Sequence, residues 1–313
     1  MSTFSHPDLR DNRILITGGA GFIGSHIADA LVADNDVVIL DNFSTGSREN
    51  VSAGAEVIEG DIRDDELLAT AMADVDLVFH EAAIVSVEES IDDPLTTHDV
   101  TARATVQLLE LARQESARVV LASSAAIYGQ PTDVPIEESE STNPASPYGL
   151  AKLTADQYAQ LYAELYDVAA IPLRYFNVYG PRQTAGDYSG VISIFLQQAR
   201  DGEPLTVHGD GAQTRDFVHV DDVVQANLRA AVHGEPGTPY NVGTGQRLSI
   251  QELAETICDV VGDIEPIEIS HVTGRAGDIK ESQAAIGRAQ TELAFEPTVS
   301  LKQGLDNLLS ESD

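Results

Sequence analysis

The feature that most constrains the fold is a glycine-rich turn near the start of the chain. Residues 14–17 read Ile-Leu-Ile-Thr, and Gly18-Gly19-Ala20-Gly21-Phe22-Ile23-Gly24 follows at once. The apolar run predicts a buried strand, and the segment 22–33 predicts a helix. Glycines at such a junction let the backbone approach a pyrophosphate, which binds at the helix N-terminus. The turn therefore predicts a nucleotide-binding unit whose cofactor contacts include Gly18, Gly21, Phe22, Ile23 and Gly24.

The alternation of short apolar runs and helical segments continues through the first half of the chain. Further strands are predicted at 37–40, 56–58, 75–79, 118–123 and 170–174, and further helices at 101–115 and from 148 to about 166. This pattern predicts an α/β fold with a Rossmann-like, doubly wound parallel sheet. After Asn177 glycine and proline become frequent, which favours a smaller α/β substrate-binding lobe. We predict a first domain over 1–176 and a second over 177–313, with segments between about 215 and 245 able to return to the first.

Other candidate cofactor residues follow the predicted strands. Asp41 comes 23 residues after Gly18, close to the offset at which an acid accepts the ribose 2′-hydroxyl of a dinucleotide. A carboxylate there repels a 2′-phosphate, so NAD is favoured over NADP. The remaining candidates lie after the second, third and fourth strands: Asn42, Asp61, Ile62, Ala82 and Ala83.

A candidate catalytic group follows the fifth strand. That strand ends at Ser123-Ser124, and the carboxyl ends of parallel strands are where ligands bind. Tyr148 and Lys152 are four residues apart in a predicted helix, so they share one face. A nearby ammonium stabilises a phenolate, which predicts a lowered pKa for Tyr148 and a role as general base. We predict Ser124, Tyr148 and Lys152 as catalytic residues, with Tyr148 and Lys152 also at the cofactor and Ser124 at the reacting hydroxyl.

These motifs resemble the NAD-dependent nucleotide-sugar epimerase/dehydratase family of extended short-chain dehydrogenases/reductases, and within it the UDP-glucose 4-epimerase branch. The resemblance spans nearly the whole chain. It rests on Thr17-Gly-Gly-Ala-Gly-Phe-Ile-Gly24, His80-Glu-Ala-Ala83, Ser123-Ser-Ala-Ala-Ile-Tyr-Gly129, Tyr148-x-x-x-Lys152, Leu173-Arg-Tyr-Phe-Asn-Val-Tyr-Gly-Pro-Arg182, Thr214-Arg-Asp-Phe-Val-His-Val220, Tyr240-Asn-Val-Gly243 and Gly274-Arg-Ala-Gly-Asp-Ile279.

The resemblance implies epimerisation at C4 of a UDP-hexose, UDP-glucose or UDP-galactose, through a transient 4-keto sugar. It implies NAD as cofactor. It also implies that Asn177, Arg215, Arg275 and Asp278 hold the nucleotide diphosphate and ribose, a role for which the planar guanidinium of arginine is well suited. By the same resemblance the helices near 101 and 148 pair across a two-fold axis in a homodimer.

Five positions depart from the family pattern or vary within it. Related dehydratases carry an Asp-Glu pair, and related decarboxylases a Glu, where this chain has Ala125 and Ala126. The absence of these acids favours reversible oxidation at C4 over elimination or decarboxylation. Thr101 and Ala104 replace a usual Asn and Gly, which predicts a weaker contact near the cofactor. Ser282 matches a position that controls room at the sugar C2 substituent, so N-acetyl sugars are further candidate substrates.

Composition excludes several other classes of protein. The formal net charge is −33, with 18 Lys plus Arg against 51 Asp plus Glu, so nucleic acids and anionic membranes would repel the chain. No apolar run reaches the ~18–20 residues of a membrane span, and the polar N-terminus does not read as a signal peptide. Cys258 is the single cysteine, and the histidines show no metal-ligand spacing. We expect a cytoplasmic protein that binds no metal.

The scarcity of lysine predicts a salt-adapted protein. Only Lys152, Lys280 and Lys302 are present, and salt would screen the repulsion among the many carboxylates. This pattern favours a halophilic source. Two alternatives to the predicted epimerase stay open at the level of sequence: another NAD-dependent nucleotide-sugar epimerase or ketosugar reductase, and a non-catalytic NAD-binding sensor.

Overall fold

The strands of the protein begin and end close to the predicted apolar runs. The computed structural model describes residues 9–183, 190–261, 267–274 and 279–310. The strands in these ranges are β1 Arg13–Thr17, β2 Asp36–Asp41, β3 Glu56–Glu59, β4 Leu77–His80, β5 Arg118–Ser124, β6 Ala170–Tyr175, β7 Asn177–Tyr179, β8 Leu205–His208, β9 Thr214–Arg215, β10 Phe217–His219, β11 Tyr240–Val242, β12 Leu248–Ser249 and β13 Ile269–Val272.

Helices alternate with these strands. They are α1 Phe22–Leu31, α2 Asp65–Met72, α3 Val87–Asp92, α4 Pro94–His98, α5 Ala104–Glu115, α6 Pro147–Tyr166, α7 Val191–Arg200, α8 Val220–His233, α9 Ile250–Val261, α10 Gly287–Leu293 and α11 Leu301–Ser310. The predicted helix 101–115 is not uniform, because a π-helical turn at Asp99–Arg103 precedes α5. Short 3₁₀ turns lie at Arg48–Asn50 and Ala125–Ile127.

The main sheet confirms the predicted doubly wound α/β fold. Its seven strands run in the order β11-β6-β5-β4-β1-β2-β3, and every pair in it is parallel. The chain order reverses between β1 and β4, and this is the switch point at which such sheets bind ligands beyond the carboxyl ends of their strands. The glycine turn after β1 lies at that point.

Apolar layers cover both faces of the sheet, and alternation along each strand supplies them. Ile14 and Ile16 of β1 belong to one buried cluster with α1, α8 and α10, whereas Leu15 belongs to the other with α2, α5 and α6. Successive side chains of a strand point to opposite faces, so a strand buried on both sides must be apolar throughout. This is why the parallel strands read as continuous apolar runs.

The second half of the chain contributes to two places. β11 pairs with β6 at one edge of the main sheet, and α8 packs beside α1. A third buried cluster lies apart from these layers and joins α7, α9 and α11 to β8. The pairs β7–β10, β9–β12 and β8–β13 lie outside the main sheet and connect this cluster to the sheet's carboxyl edge.

Candidate active site

The glycine turn forms a cradle that side chains would fill. Gly18 has a φ of +69°, and a Cβ there would lie 2.9 Å from the backbone nitrogen of Ala82. A Cβ on Gly24 would collide with the carbonyl oxygen of Gly18. Gly21 is the N-cap of α1, and no side chain caps this end of the helix. The unpaired N–H groups at the start of α1 therefore give the cradle a positive end that suits a phosphate.

The two residues after Gly21 form the first turn of α1. Phe22 stacks edge-on against His26, with 6.2 Å between the ring centroids. Ile23 is partly buried and packs on the apolar layer shared with α8. Their side chains therefore anchor the helix, while their backbone lies at the cradle.

Asp41 ends β2 beside the glycine turn. Its carboxylate accepts the N–H of Ala20 at 2.9 Å and the N–H of Phe43 at 2.8 Å, and only 8% of the residue is exposed. A fixed negative charge here suits a ribose hydroxyl and repels a 2′-phosphate. The geometry of the turn and of Asp41 fits NAD.

The residues predicted after β2 and β3 lie together. The Asn42 side chain bonds to Asp61, while Arg63 pairs with the same carboxylate at 2.9 and 2.7 Å. The side-chain bond from Arg63 is the main reason that the pKa of Asp61 is lowered. Ile62 is buried beneath them in the apolar layer.

Ala82 and Ala83 follow β4, where a buried polar chain fixes the backbone. Ala82 N–H donates to Thr17 Oγ1 at 3.3 Å, and Thr17 Oγ1 lies 2.7 Å from His80 Nδ1. The other ring nitrogen of His80 lies 2.9 Å from Thr105 Oγ1. Burial lowers the pKa of His80 to about 3, so the ring is neutral and serves as a structural link between β1, β4 and α5.

The catalytic candidates meet at the carboxyl end of β5. Tyr148 and Ser124 share a side-chain hydrogen bond. Lys152 is 5% exposed, and its Nζ donates to the carbonyl oxygen of Ala122 at 2.7 Å. α6 thus places both of its candidates against one strand, Tyr148 at Ser124 and Lys152 at Ala122, two residues apart.

The sequence predicts a lowered pKa for Tyr148, and for the chain without cofactor that prediction is wrong. Burial raises that pKa, and the hydrogen bond with Ser124 lowers it by less. The physical reason is that the hydroxyl is desolvated, while the Lys152 ammonium is engaged by a backbone carbonyl. Burial also lowers the pKa of Lys152.

Glu81 is a site residue that the sequence reasoning did not single out. It directly follows β4, and its carboxylate accepts the hydroxyl of Tyr175 at 2.9 Å. Burial raises the pKa of Glu81, whereas the charge of Lys152 acts to lower it. Its position between His80 and Ala82, directly after β4, is the signal that could have identified it, because a carboxyl at a strand end beside the cradle is chemically unlike the apolar residues that follow it.

A buried ion pair, also missed, fastens α6 to the sheet. Arg174 in β6 binds Asp156 through two nitrogens, each 3.0 Å from a carboxylate oxygen, and Ser123 donates to the same carboxylate at 2.6 Å. Neither charged side chain exceeds 5% exposure. Asp156 lies four residues after Lys152, so the spacing that linked Tyr148 to Lys152 could have been continued one step to find it.

The candidates for nucleotide-sugar binding lie in the second half of the chain. Asn177 begins β7 and is exposed, while Arg215 ends β9 and donates to the Ile279 carbonyl at 2.7 Å. Their backbones are linked, because Asn177 N–H donates to the Asp216 carbonyl at 3.0 Å. Arg275 and Asp278 lie outside the described residues. Ser282 is buried, 6% exposed, shortly after Ile279.

None of the positions that depart from the family pattern carries a carboxylate side chain. Ala125 and Ala126 form the 3₁₀ turn after Ser124, and Ala126 N–H donates to Ser124 Oγ at 3.1 Å. Thr101 lies in the π-helical turn, where its hydroxyl accepts Ile84 N–H at 3.3 Å, and Ala104 begins α5. Over the described ranges, no group of three or more His, Cys, Asp or Glu could hold a metal ion, and no helix is long and apolar enough to span a bilayer.

The fold and the Ser124–Tyr148–Lys152 group beside a nucleotide cradle define a dehydrogenase-like enzyme of the extended short-chain type. Residues 14–243 match the NAD dependent epimerase/dehydratase family, and the chain belongs to that family.

Three relatives carry this further. A UDP-glucose 4-epimerase of Mycolicibacterium smegmatis is 39% identical over 302 residues, covering 94% of this chain and 96% of the relative. The solved UDP-glucose 4-epimerase of Thermotoga maritima with UDP-glucose has a TM-score of 0.91 and 36% identity, covering 96% of this chain and 100% of that one. The UDP-N-acetylglucosamine 4-epimerase of Methanobrevibacter ruminantium with UDP-N-acetylmuramic acid also has a TM-score of 0.91, with 35% identity and coverage of 96% and 99%.

Proposed function

We propose that this protein is an NAD-dependent isomerase that inverts C4 of a UDP-hexose, interconverting UDP-glucose and UDP-galactose. The observation that carries the proposal is the placement of Tyr148, Ser124 and Lys152 at the carboxyl end of β5, beside the glycine cradle. This set can move a proton at a sugar hydroxyl next to a bound dinucleotide. When bound, NAD supplies a hydride acceptor that returns the hydride within the same turnover.

The chain's own residues handle the proton at the sugar 4-hydroxyl. Ser124 orients that hydroxyl toward Tyr148, with which it already shares a hydrogen bond. Tyr148 accepts the proton as general base and gives it back to the 4-keto sugar as general acid. Lys152, held at Ala122, keeps a positive charge near the phenolate that forms.

The reaction stops at oxidation and reduction of C4 because no acid follows Ser124. Elimination of water across C5 and C6, or loss of a carboxyl group, needs an acid–base side chain near those carbons. The turn Ala125–Ile127 offers only apolar side chains there. This supports an epimerase over a dehydratase or decarboxylase of the same family.

Asn177, Arg215, Arg275 and Asp278 hold the nucleotide in this proposal. Arg215 ends β9, and its guanidinium is fixed by donating to the Ile279 carbonyl. A nucleotide diphosphate held here leaves the sugar free to turn between the two hydride transfers. The small Ser282 side chain supports N-acetyl sugars as further substrates, as does the UDP-N-acetylglucosamine 4-epimerase among the similar structures.

An assay of the purified protein tests the reaction. UDP-galactose is incubated with the protein in molar KCl without added reductant, and products are separated by chromatography. We expect UDP-glucose to appear until equilibrium. Conversion that requires stoichiometric reduced cofactor would indicate a ketosugar reductase, and bound NAD without any conversion would indicate a sensor. Repeating the assay with UDP-N-acetylglucosamine and a Ser282→Tyr variant tests the role of Ser282, since the bulkier side chain should block only the N-acetyl sugar.

The same enzyme is proposed to act as a homodimer through the face formed by α3, α4 and α6. Large apolar side chains with at least 37% exposure collect on this face and the loop before it: Val85, Val87, Ile91, Leu95, Leu150, Tyr158, Leu161, Leu165 and Tyr166. α5 contributes none of them, which moves the expected contact toward α3 and α4. Such a patch is unusual on so acidic a protein, and burial against a second copy would remove it from water.

Sedimentation tests the dimer. Leu165→Glu should give a monomer because it places a charge in the apolar face. Val272→Glu is the matched control, since Val272 is 40% exposed on β13, outside that face. A Leu165→Glu protein that sediments like the wild type would contradict the proposed interface.

We also propose that residues 1–176 bind NAD and that residues 177–313 bind the nucleotide sugar. Two elements of the second range, β11 and α8, pack on the first part and complete its sheet and helix layer. Limited proteolysis with and without UDP tests this assignment, because the nucleotide should protect only the second part.

The charge of −33 supports a working environment of molar salt, as in a halophilic cytoplasm.

A further inference from the structure

Asp216 is a buried carboxylate that accepts hydrogen bonds from two separate segments. Its Oδ1 accepts the N–H of Thr244 at 2.8 Å and the hydroxyl of Thr244 at 2.7 Å. Its Oδ2 accepts the N–H of Gly245 and the N–H of Ala284, both at 3.0 Å. The residue has no exposed surface, and it is not part of the proton chemistry at Tyr148.

The segments that Asp216 joins are those that carry the nucleotide-sugar candidates. Its own carbonyl accepts Asn177 N–H at 3.0 Å, and Arg215 is the preceding residue. The Ala284 segment begins at Ile279, whose carbonyl accepts the Arg215 guanidinium at 2.7 Å, and Thr214 N–H donates to the Lys280 carbonyl at 2.9 Å. The Asp216 side chain thus joins the turn after β11 to the Ala284 segment. Its backbone carbonyl joins β7 to the same point, and the backbone of β9 is bonded to the start of that segment.

We propose that Asp216 is a positioning residue that pre-organises the nucleotide-binding face before the UDP-sugar arrives. This inference rests on the proposed function, because it assumes that Asn177 and Arg215 meet the nucleotide. A face assembled in advance binds more tightly, since the ligand does not have to order the segments itself.

An ionised carboxylate satisfies every hydrogen bond at this point. All four partners are donors, and an ionised carboxylate is an acceptor alone. An asparagine that turns its NH₂ toward Thr244 would lose the Thr244 N–H bond, although the Thr244 hydroxyl can accept from the NH₂. In the other orientation the NH₂ would face the N–H groups of Gly245 and Ala284, and both bonds would be lost. Burial raises the pKa of Asp216, and the bonds from Thr244, Ala284 and Gly245 oppose that rise by favouring the charged form.

Asp222 provides a matched control in the same chain. It also has no exposed surface, and its carboxylate accepts Thr298 N–H at 2.8 Å, the Thr298 hydroxyl at 3.1 Å and Val299 N–H at 3.2 Å. The chemistry of the two carboxylates is therefore alike, and burial raises the pKa of both. Asp222 fixes the segment before α11 instead of the segments at the nucleotide candidates.

The experiment compares Asp216→Asn, Asp222→Asn and wild type by calorimetric titration with UDP, alongside thermal unfolding and NAD content. We expect Asp216→Asn to bind UDP about tenfold more weakly, the size of effect expected for unsatisfied buried donors. Its KM for UDP-galactose should rise by a similar factor, with kcat and NAD content within about threefold of wild type. Asp222→Asn should lose thermal stability but bind UDP as wild type does.

Each other outcome has a defined meaning. Wild-type protein that does not bind UDP would overturn the proposed function itself. Wild-type binding with an equal affinity for folded Asp216→Asn would overturn the positioning role alone, as would an equal loss in Asp222→Asn. If Asp216→Asn does not fold, Thr244→Val replaces it, because valine keeps the bond from the Thr244 N–H to Asp216 and removes the hydroxyl, which also accepts the Gln246 N–H at 3.2 Å. We then expect UDP binding to weaken about threefold, and unchanged binding would again overturn the role.

Discussion

At the scale of single residues, the role proposed for Tyr148 requires its hydroxyl to lose and regain a proton. Tyr148 is desolvated and its pKa is raised in the chain alone, so at neutral pH the hydroxyl holds its proton. Its power as a base therefore depends on positive charge brought close to the oxygen. Lys152 is the cationic side chain that we propose for this role, and α6 holds it at the Ala122 carbonyl.

Removal of the hydroxyl tests that role. Tyr148→Phe should lower kcat by about 10²–10⁴, the range for loss of a general acid–base group, with UDP affinity and thermal stability close to wild type. Tyr158→Phe is the control, because Tyr158 lies on the same helix and is 37% exposed. Kinetics of UDP-galactose conversion measure the difference, and a Tyr148→Phe enzyme with a near-normal kcat would remove Tyr148 from the mechanism.

His80 makes a second prediction, about acid stability. Its pKa falls to about 3 in the folded protein because the ring is fully buried, whereas an unfolded histidine titrates near 6.5. Because the pKa is lower in the folded than in the unfolded protein, the free energy of unfolding has its full value above pH 6.5. It decreases as the pH falls toward 3, since the unfolded histidine takes up a proton there and the folded one does not. The loss amounts to about 1.4 kcal/mol for each pH unit in that window.

Urea unfolding at several pH values measures this slope. His80→Gln should flatten the decline of the unfolding free energy between about pH 6 and pH 4, whatever its cost at neutral pH. His98→Gln should leave the slope unchanged, since His98 is exposed at the end of α4. Equal slopes for wild type and His80→Gln would show that His80 is not the group that titrates.

At the scale of elements, one face of α6 is bonded to the end of β5 at three successive helical turns. Tyr148 meets Ser124, Lys152 meets the Ala122 carbonyl, and Asp156 meets Ser123. The Asp156–Arg174 pair locks this register, because Arg174 lies opposite Ser123 in β6. The rigidity of the catalytic group therefore comes from the junction of a helix with two strands.

Breaking that junction should cost far more than breaking a surface pair. Asp156→Asn leaves the Arg174 charge buried without its counter-ion, so the unfolding free energy should fall by about 3–5 kcal/mol. Asp65→Asn removes an exposed pair with Arg103 and should cost less than about 1 kcal/mol. Urea unfolding measures the free energy of unfolding of both variants. Similar losses in the two would contradict the role of the Asp156–Arg174 pair at this junction.

The elements also show where sequence reasoning succeeds. The strands of the main sheet were predictable because burial on both faces forces continuous apolar runs, and the glycine turn because only glycine tolerates the contacts at Gly18 and Gly24. The π-helical turn Asp99–Arg103 was not, since its extra residue leaves the helical pattern nearly intact. The Asp156–Arg174 and Asp216–Ala284 contacts were not either, because they join positions that only the fold brings together.

At the scale of the whole molecule, charge dominates. Carboxylates outnumber cations so strongly that some lie beside each other, as Glu255 and Asp259 do at successive turns of one face of α9. Both are exposed, and together with burial their charge raises the pKa of Cys258 between them. Such like-charge neighbours destabilise a helix by a few tenths of a kcal/mol, and many of them act together.

Salt should therefore stabilise this protein, and the gain should come from screening. The Debye length falls from about 10 Å at about 0.1 M to about 3 Å at about 1 M, so we expect Tm to rise by several degrees between low and molar KCl. The free energy of unfolding of the double variant Glu255→Gln/Asp259→Asn should exceed that of wild type by about 0.2–0.5 kcal/mol at low salt. In molar KCl the two free energies should be equal. Urea unfolding at both salt concentrations measures that difference. An advantage that persists in molar KCl would mean that packing or helix propensity, and not repulsion, separates the two proteins.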